Sequence, residues 1–123
     1  MNVKAGEKIN DMIKDIGEET MEKYAEILRK AKTICMNGPA GVFENPIFAE
    51  GTKVIFQAIK EAKAFSLLGG GHTSSAISEL GFKFEDFSYV SLAGGALITL
   101  LSGEELPGVE AIKRSPSTKK PMP

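Results

Sequence analysis

The feature that most constrains the fold is a run of three glycines between an apolar segment and a helical pattern. It lies in FSLLGGGHTSSAISELG, residues 65–81, and is followed by the only histidine of the chain, His72. The apolar residues before the glycines are typical of a buried strand, and TSSAISEL predicts a helix that ends at Gly81. A strand that passes through bare backbone into a helix is typical of proteins with a parallel sheet.

The same alternation of helix and strand runs along most of the chain. GEETMEKYAEILRKAK has apolar residues at helical spacing, and TICMNG at 33–38 predicts a strand. Asn45 as cap and Pro46 as first residue predict a second helix, which should end near Lys63. SYVSLA predicts a third strand, and GGALITLLSG predicts a last helix that ends at Gly103.

Three short apolar strands separated by crossover helices favour an α/β fold in three layers, with a parallel sheet of the Rossmann-like, doubly wound type. A chain of 123 residues has room for one core and not for a second independent domain. We expect residues 1–112 to form this unit. The segment KRSPSTKKPMP, residues 113–123, combines four cations with three prolines and predicts a basic, disordered tail.

Charge and composition exclude several classes of partner. The formal net charge of -1 gives no overall attraction to nucleic acid or to an anionic membrane. The most apolar window, residues 89–101, is too short to span a bilayer. Cys35 is the only cysteine, so it cannot form an intramolecular disulfide, and we expect it to be buried in its strand. We therefore expect a cytoplasmic protein.

Each predicted strand ends in a turn of glycine and small residues. The turns read MNGPAGVFEN, LLGGGHTSS and LAGGAL. The carboxyl ends of parallel strands meet at one edge of a sheet, glycine allows close approach of a ligand, and a helix N-terminus offers N–H groups to an anion. These turns predict a shared anion site, with tight packing alone as the alternative. The fingerprint G-x-x-x-x-G-K-[ST] is absent, and G-x-G-x-x-G does not follow the first strand.

Several motifs in one order and spacing resemble phosphoglycerate kinase. They are MNGPAGVFE, FAEGTK, LLGGGHTSSAI, YVSLAGGA and LSGEELPGVEAI, and KDIGEET is similar to the family's sequence just before them. The resemblance covers about Asp15 to Ile112 and has an archaeal character. It implies that the chain is the second half of the lobe that binds ATP or ADP with Mg²⁺, in an enzyme that transfers a phosphoryl group between 1,3-bisphosphoglycerate and ADP in glycolysis.

The resemblance also implies roles for individual residues. Glu44 would bind the ribose hydroxyls, although it could be only a solvated carboxylate. The nucleotide cleft would be lined by Asn37, Gly38 and Pro39. The phosphates would be surrounded by Gly69, Gly70, Gly71, His72 and Thr73. Gly94 and Gly95 would be the catalytic pair, whose backbone N–H groups meet the transferred phosphoryl group. Asn37 could instead cap a turn, and Thr73 could cap its helix.

Three departures from the family limit these expectations. The chain lacks the other lobe, through which alone 3-phosphoglycerate would be bound, and the first half of the nucleotide lobe, so we expect no kinase activity from the isolated chain. His72 stands where most members of the family have an aspartate that faces Mg²⁺, and imidazole is a poor ligand for that ion. No protein metal ligand is therefore predicted. Ala93 replaces a glycine in the third turn.

Two other hypotheses remain open. The chain could be a stand-alone module that binds an adenine nucleotide without catalysis, or half of an enzyme that another chain completes. In all three cases the three-stranded sheet has an open edge, which predicts self-association or poor solubility.

Overall fold

The computed structural model of the chain describes residues 2–4, 6–105 and 107–114. The helices and strands are α1 (Glu18–Lys30), β1 (Thr33–Asn37), α2 (Glu50–Glu61), β2 (Phe65–Gly69), α3 (Gly71–Glu79), β3 (Tyr89–Ser91), α4 (Gly95–Leu101) and α5 (Pro107–Arg114). Two short 3-10 turns, Pro46–Phe48 and Phe84–Asp86, precede α2 and β3.

The strands form one parallel sheet in the order β1-β2-β3. Asn37 pairs with Gly69, and Gly69 pairs with Ser91, so the three strands end at the same level. The glycine-rich turns therefore leave the sheet side by side, as expected for parallel strands joined by crossover helices. The predicted α/β fold with an open, Rossmann-like parallel sheet is confirmed.

The core lies between one face of the sheet and helices α1 to α3. Ile34 and Leu68 point into it from β1 and β2, and Phe56 and Ile77 come from α2 and α3. The ring of Phe56 lies 5.4 Å from that of Phe82 and 5.5 Å from that of Phe87, at angles typical of buried aromatic clusters. These side chains hold the helices that begin at the turns.

The opposite face of the sheet is largely open. Cys35, Phe65 and Tyr89 are exposed on it, and Leu97 of α4 covers its carboxyl end at Gly69. The expectation that Cys35 is buried is therefore wrong. Successive side chains of a strand point to opposite faces, and the face opposite Ile34 is not covered at Cys35 by any of the described residues.

The start of the second helix differs from the prediction. Asn45 does cap, because its side chain accepts a hydrogen bond from Ile47 N at 3.0 Å, but the capped element is the short 3-10 turn. The α-helix itself begins at Glu50, where Asp15 bonds its first turn, and ends at Glu61. The predicted end of α3 is confirmed, since Gly81 follows the helix with a φ of 83°.

The C-terminal part contains a helix that the sequence pattern did not predict. Helix α5 continues to Arg114, so the first two residues of the expected tail are helical, while residues 115–123 lie outside the described residues. Within the described ranges, the helices are all too short or too polar to cross a membrane.

Candidate functional site at the carboxyl ends of the strands

The loop after β1 is anchored through every second backbone amide. Gly38 N donates to Thr73 Oγ1 at 2.8 Å, and Ala40 N donates to Thr52 Oγ1 at 3.1 Å. Val42 N donates to the carbonyl of Lys14 at 2.8 Å. This alternation ties the loop to α3, to α2 and to the segment before α1.

The N-terminus of α2 already carries a carboxylate. Asp15 accepts a hydrogen bond from Gly51 N through Oδ2 at 3.0 Å, and from Ile16 N through Oδ1 at 2.8 Å. A negative group at this position satisfies a free N–H and interacts favourably with the helix dipole. Of the three expected helix N-termini, this one is therefore closed by the protein itself.

The second and third turns meet. Gly70, before α3, has a φ of 100°, and Gly94, before α4, has a φ of 46°. A Cβ on Gly94 would lie 3.7 Å from the Cα of Gly70, and a Cβ on Gly70 would lie 3.3 Å from Asn37 Oδ1. Gly70 N also donates to Ser91 O at 3.2 Å. The ends of all three strands thus converge on Gly70.

Gly69 is buried below this point of convergence. A Cβ at Gly69 would lie 2.5 Å from Leu97 Cδ2, so the glycine lets α4 pack onto the end of β2. Its observed role is close packing, which was the alternative interpretation of the glycine-rich turns.

The first residues of α3 and α4 face open space. Gly71, His72 and Gly95 are exposed, and a Cβ added at either glycine would meet nothing within 4 Å. No side chain caps either helix. Helix α3 has nine residues and α4 has seven, so the dipole at the N-terminus of α3 attracts an anion more strongly than that of α4.

Thr73 lies inside the protein. It is fully buried, and its Oγ1 accepts the hydrogen bond from Gly38 N. In this arrangement the hydroxyl joins the first turn to the second rather than facing the open side of the turn. Its observed function is to align Gly38 with α3.

Pro39 and Glu44 stand on the loop between β1 and the first 3-10 turn. Pro39 is partly buried, whereas the Glu44 side chain is exposed. Phe43, immediately before Glu44, is buried in the core with 4% exposure. The backbone at Glu44 is therefore held by its neighbour while the carboxylate is free to meet a ligand.

The polar groups around the turns suit a phosphate better than a metal ion. Among the described residues, no group of three His, Cys, Asp or Glu side chains could hold a metal ion. His72 supplies one exposed imidazole, a poor ligand for Mg²⁺, which prefers oxygen. The chain can offer backbone N–H groups at α3 and a carboxylate at Glu44.

An apolar cavity of about 530 Å³ lies along the open edge of β1. Tyr24, Ile27 and Leu28 of α1 form one wall, and Cys35 and Met36 line the strand side. The cavity also reaches Asn37, Gly38 and Ala40. It lies beside a strand whose outer edge pairs with no other strand of the described residues.

One displaced pKa lies away from these turns, on the surface shared by α1 and α2. The pKa of Glu61 is lowered because its carboxylate accepts hydrogen bonds from Gln57 and from Arg29. This carboxylate contributes to the helix pair and not to the candidate site.

Sequence reasoning assigned no role to Asp15 or Thr52, although both hold the first turn. Their partners are 36 and 12 residues away, beyond the reach of local patterns. The sequence did contain one indication of these contacts, because the glycines at positions 41 and 51 leave room for a neighbouring side chain. Asp15 occupies that space in both cases.

Together these features define a class, the open-sheet α/β proteins whose glycine-rich turns meet at the carboxyl ends of parallel strands. The family profile described as Phosphoglycerate kinase matches residues 1–104. The chain belongs to the phosphoglycerate kinase family, a family of glycolytic transferases.

Individual relatives agree with this membership. The phosphoglycerate kinase of Methanothermobacter thermautotrophicus is 48% identical over 106 residues, covering 86% of this chain and 26% of that protein. The enzyme of Corynebacterium jeikeium is 49% identical over 102 residues, covering 80% of this chain and 25% of that protein. These two relatives are therefore similar to this chain to nearly the same degree.

A solved structure, the phosphoglycerate kinase of Pyrococcus horikoshii OT3, superimposes with a TM-score of 0.75 at 47% identity, covering 83% of this chain and 25% of that chain. The chain therefore spans about a quarter of the length of its relatives.

Proposed function

We propose that the chain forms part of the site that binds ADP or ATP in a phosphoglycerate kinase, the enzyme that transfers a phosphoryl group between 1,3-bisphosphoglycerate and ADP. The observation that carries the proposal is the convergence of Asn37, Gly70 and Gly94 at the level ends of three parallel strands. The phosphates are received at the exposed N-terminus of α3, by the N–H groups of Gly71 and His72. Glu44 accepts hydrogen bonds from the ribose hydroxyls.

The catalytic contribution proposed for this chain comes from Gly94 and Gly95. A phosphoryl group in transfer carries charge on its oxygens, and backbone donors at the start of α4 stabilise that charge by position alone. Thr73 acts indirectly in this scheme, because its hydrogen bond holds Gly38, which precedes Pro39, beside the phosphate turn. Since no group of described residues suits a metal ion, a Mg²⁺ ion bound with the nucleotide would have phosphate oxygens and water as ligands, and it would neutralise part of the phosphate charge.

The proposal includes the absence of kinase activity from the chain by itself. Phosphoryl transfer depends on positioning and charge neutralisation, and the described turns supply backbone N–H groups and one exposed histidine but no lysine or arginine. The second substrate, 3-phosphoglycerate, requires the remaining three-quarters of a relative's length. A coupled assay with the purified chain is expected to give background rates.

Calorimetric titration of the 123-residue chain with Mg-ADP tests the binding function. We expect saturable binding to the original chain and a loss of about 10- to 100-fold in Glu44→Gln, since a ribose hydrogen bond to a charged acceptor contributes about 1.5–3 kcal/mol. Glu104→Gln is the matched control, because Glu104 is exposed beyond α4. Absence of heat in the original chain would refute the proposal.

A second candidate function, half of an enzyme completed by another polypeptide, is favoured by the open β1 edge and the cavity beside it. An unpaired edge strand flanked by apolar side chains accepts a further strand. Mixing the chain with a polypeptide that carries the remainder of a phosphoglycerate kinase would then restore turnover. A chain that binds Mg-ADP but stays inactive in the mixture would favour a stand-alone binding module.

A further inference from the structure

The carboxylate of Asp15 joins parts of the chain that are distant in sequence. It accepts hydrogen bonds from Ile16 N at 2.8 Å and from Gly51 N at 3.0 Å. The adjacent Lys14 carbonyl accepts from Val42 N, and the Lys14 ammonium lies 5.2 Å from the centre of the Phe48 ring. One short segment therefore contacts the loop after β1, the 3-10 turn and the first turn of α2.

The space around this carboxylate is kept clear by two glycines. A Cβ on Gly41 would lie 2.7 Å from Asp15 Oδ1 and 2.5 Å from the Lys14 carbonyl oxygen. A Cβ on Gly51 would overlap Asp15 Oδ1 and Ile16. Distances this short leave no room for a side chain, so the segment packs directly against the backbone of the loop and of the helix.

The loop that carries Glu44 is held by the rest of the chain at two points, and the segment at Lys14 and Asp15 supplies one of them. Its first residue, Gly38, is held by Thr73, and its middle, Val42, is held by the Lys14 carbonyl. We propose that Asp15 is a positioning residue that keeps residues 41–45 ordered, so that Glu44 meets the nucleoside end of a bound nucleotide. The proposal rests on the nucleotide-binding function above. It assigns to Asp15 no contact with the ligand.

The test uses Asp15→Ala in the 123-residue chain, with Asp11→Ala as the matched control, since Asp11 is exposed four residues earlier. Without ligand, ¹⁵N relaxation should show increased motion at residues 41–45 in Asp15→Ala and no change in Asp11→Ala. If the ordered loop is then populated one-tenth of the time, Mg-ADP affinity falls about tenfold. Affinity for inorganic pyrophosphate, which reaches only the turn before α3, should stay within about twofold.

A second variant changes the partner of Asp15 in this contact, Gly51. Gly51→Ala keeps the Asp15 carboxylate but displaces it, so we expect a similar loss of Mg-ADP affinity. In the double variant Gly51→Ala/Asp15→Ala, the loss of binding free energy should be smaller than the sum of the losses in the two single variants. Equal losses of ADP and pyrophosphate affinity would overturn the positioning role. If the original chain binds no ADP, the nucleotide-binding proposal fails by itself, and an unchanged loop in Asp15→Ala would separately overturn the role of Asp15.

Discussion

The hydroxyl of Thr73 accepts a hydrogen bond from the backbone N–H of Gly38 at 2.8 Å, across 35 residues of sequence. Thr73 is fully buried in the first turn of α3, and Gly38 follows β1 with a φ of 97°. The bond therefore ties the end of one strand to the helix that follows the next strand. It makes the first two glycine-rich turns a single unit.

Replacement of Thr73 by valine tests this unit. Thr73→Val keeps the shape of the side chain but leaves Gly38 N without its acceptor, which should lower the free energy of unfolding by about 1–3 kcal/mol. Urea unfolding followed by circular dichroism measures the change. Thr33→Val, on the exposed face of β1, is the control and should alter stability by less than about 0.5 kcal/mol. Equal effects of the two substitutions would contradict the role of the bond.

Gly71→Ala separates ligand binding from folding. A Cβ at Gly71 meets nothing within 4 Å, so alanine should raise stability by about 0.5–1 kcal/mol through helix propensity. The same methyl group would occupy the open turn where a phosphate approaches, and Mg-ADP affinity should fall about tenfold, or about 1.4 kcal/mol.

Gly108→Ala in α5 is the matched control, because a Cβ there also meets open space. It should not change the affinity measured by calorimetry. Unchanged affinity in Gly71→Ala would indicate that phosphate does not enter this turn.

His72→Asp examines the exposed start of α3. An acidic residue in the first turn of a helix is favoured by about 0.3–1 kcal/mol, so the folded chain should be no less stable. Its negative charge should weaken binding of metal-free ADP by repulsion, and added Mg²⁺ should restore part of the loss. Titrations measure the ratio of the ADP affinity with Mg²⁺ to the ADP affinity without Mg²⁺, and the neutral variant His72→Asn is the control. A ratio that is the same in all three chains would exclude His72 from the phosphate end of the site.

Local signals predicted those parts of the fold that depend on local chemistry. Gly81 ends α3, and Asn45 caps the 3-10 turn at Pro46–Phe48. Both were predictable because each residue acts on neighbours within a few positions of sequence. Cys35 was placed wrongly because strand periodicity states which residues share a face but not whether a helix covers that face.

In the candidate site, too, features set by local sequence were predictable and features set by distant contacts were not. The glycines of the turns are visible in sequence, and the structure brings Gly70 and Gly94 close together. The bonds that hold the first turn were not visible, because Asp15, Thr52 and Thr73 act across distances in sequence that no periodicity reports. The closed N-terminus of α2 is a consequence of those bonds.

Phe56→Ala probes the core that carries the turns. Phe56 is fully buried and its ring contacts those of Phe82 and Phe87, so truncation should lower the free energy of unfolding by about 3–5 kcal/mol. Such a loss is a large fraction of the stability of a small domain. Phe65→Ala, whose ring is 57% exposed, should cost about 1 kcal/mol or less. Similar losses in the two variants, measured by urea unfolding, would contradict the placement of the core on one face.

The open face of the sheet predicts how the isolated chain behaves in solution. Phe65 and Tyr89 are 57% and 59% exposed on adjacent strands, where Tyr89 pairs with Leu67, two residues after Phe65. Exposed apolar surface on one face of a sheet favours association. Light scattering should therefore detect dimers or larger species, and Phe65→Thr/Tyr89→Thr should shift the population toward monomer while threonine keeps the preference for strand. Ile47→Thr is the matched control, because Ile47 is 77% exposed but lies on the turn before α2. A monomeric original chain with a two-state melt would contradict association through this face.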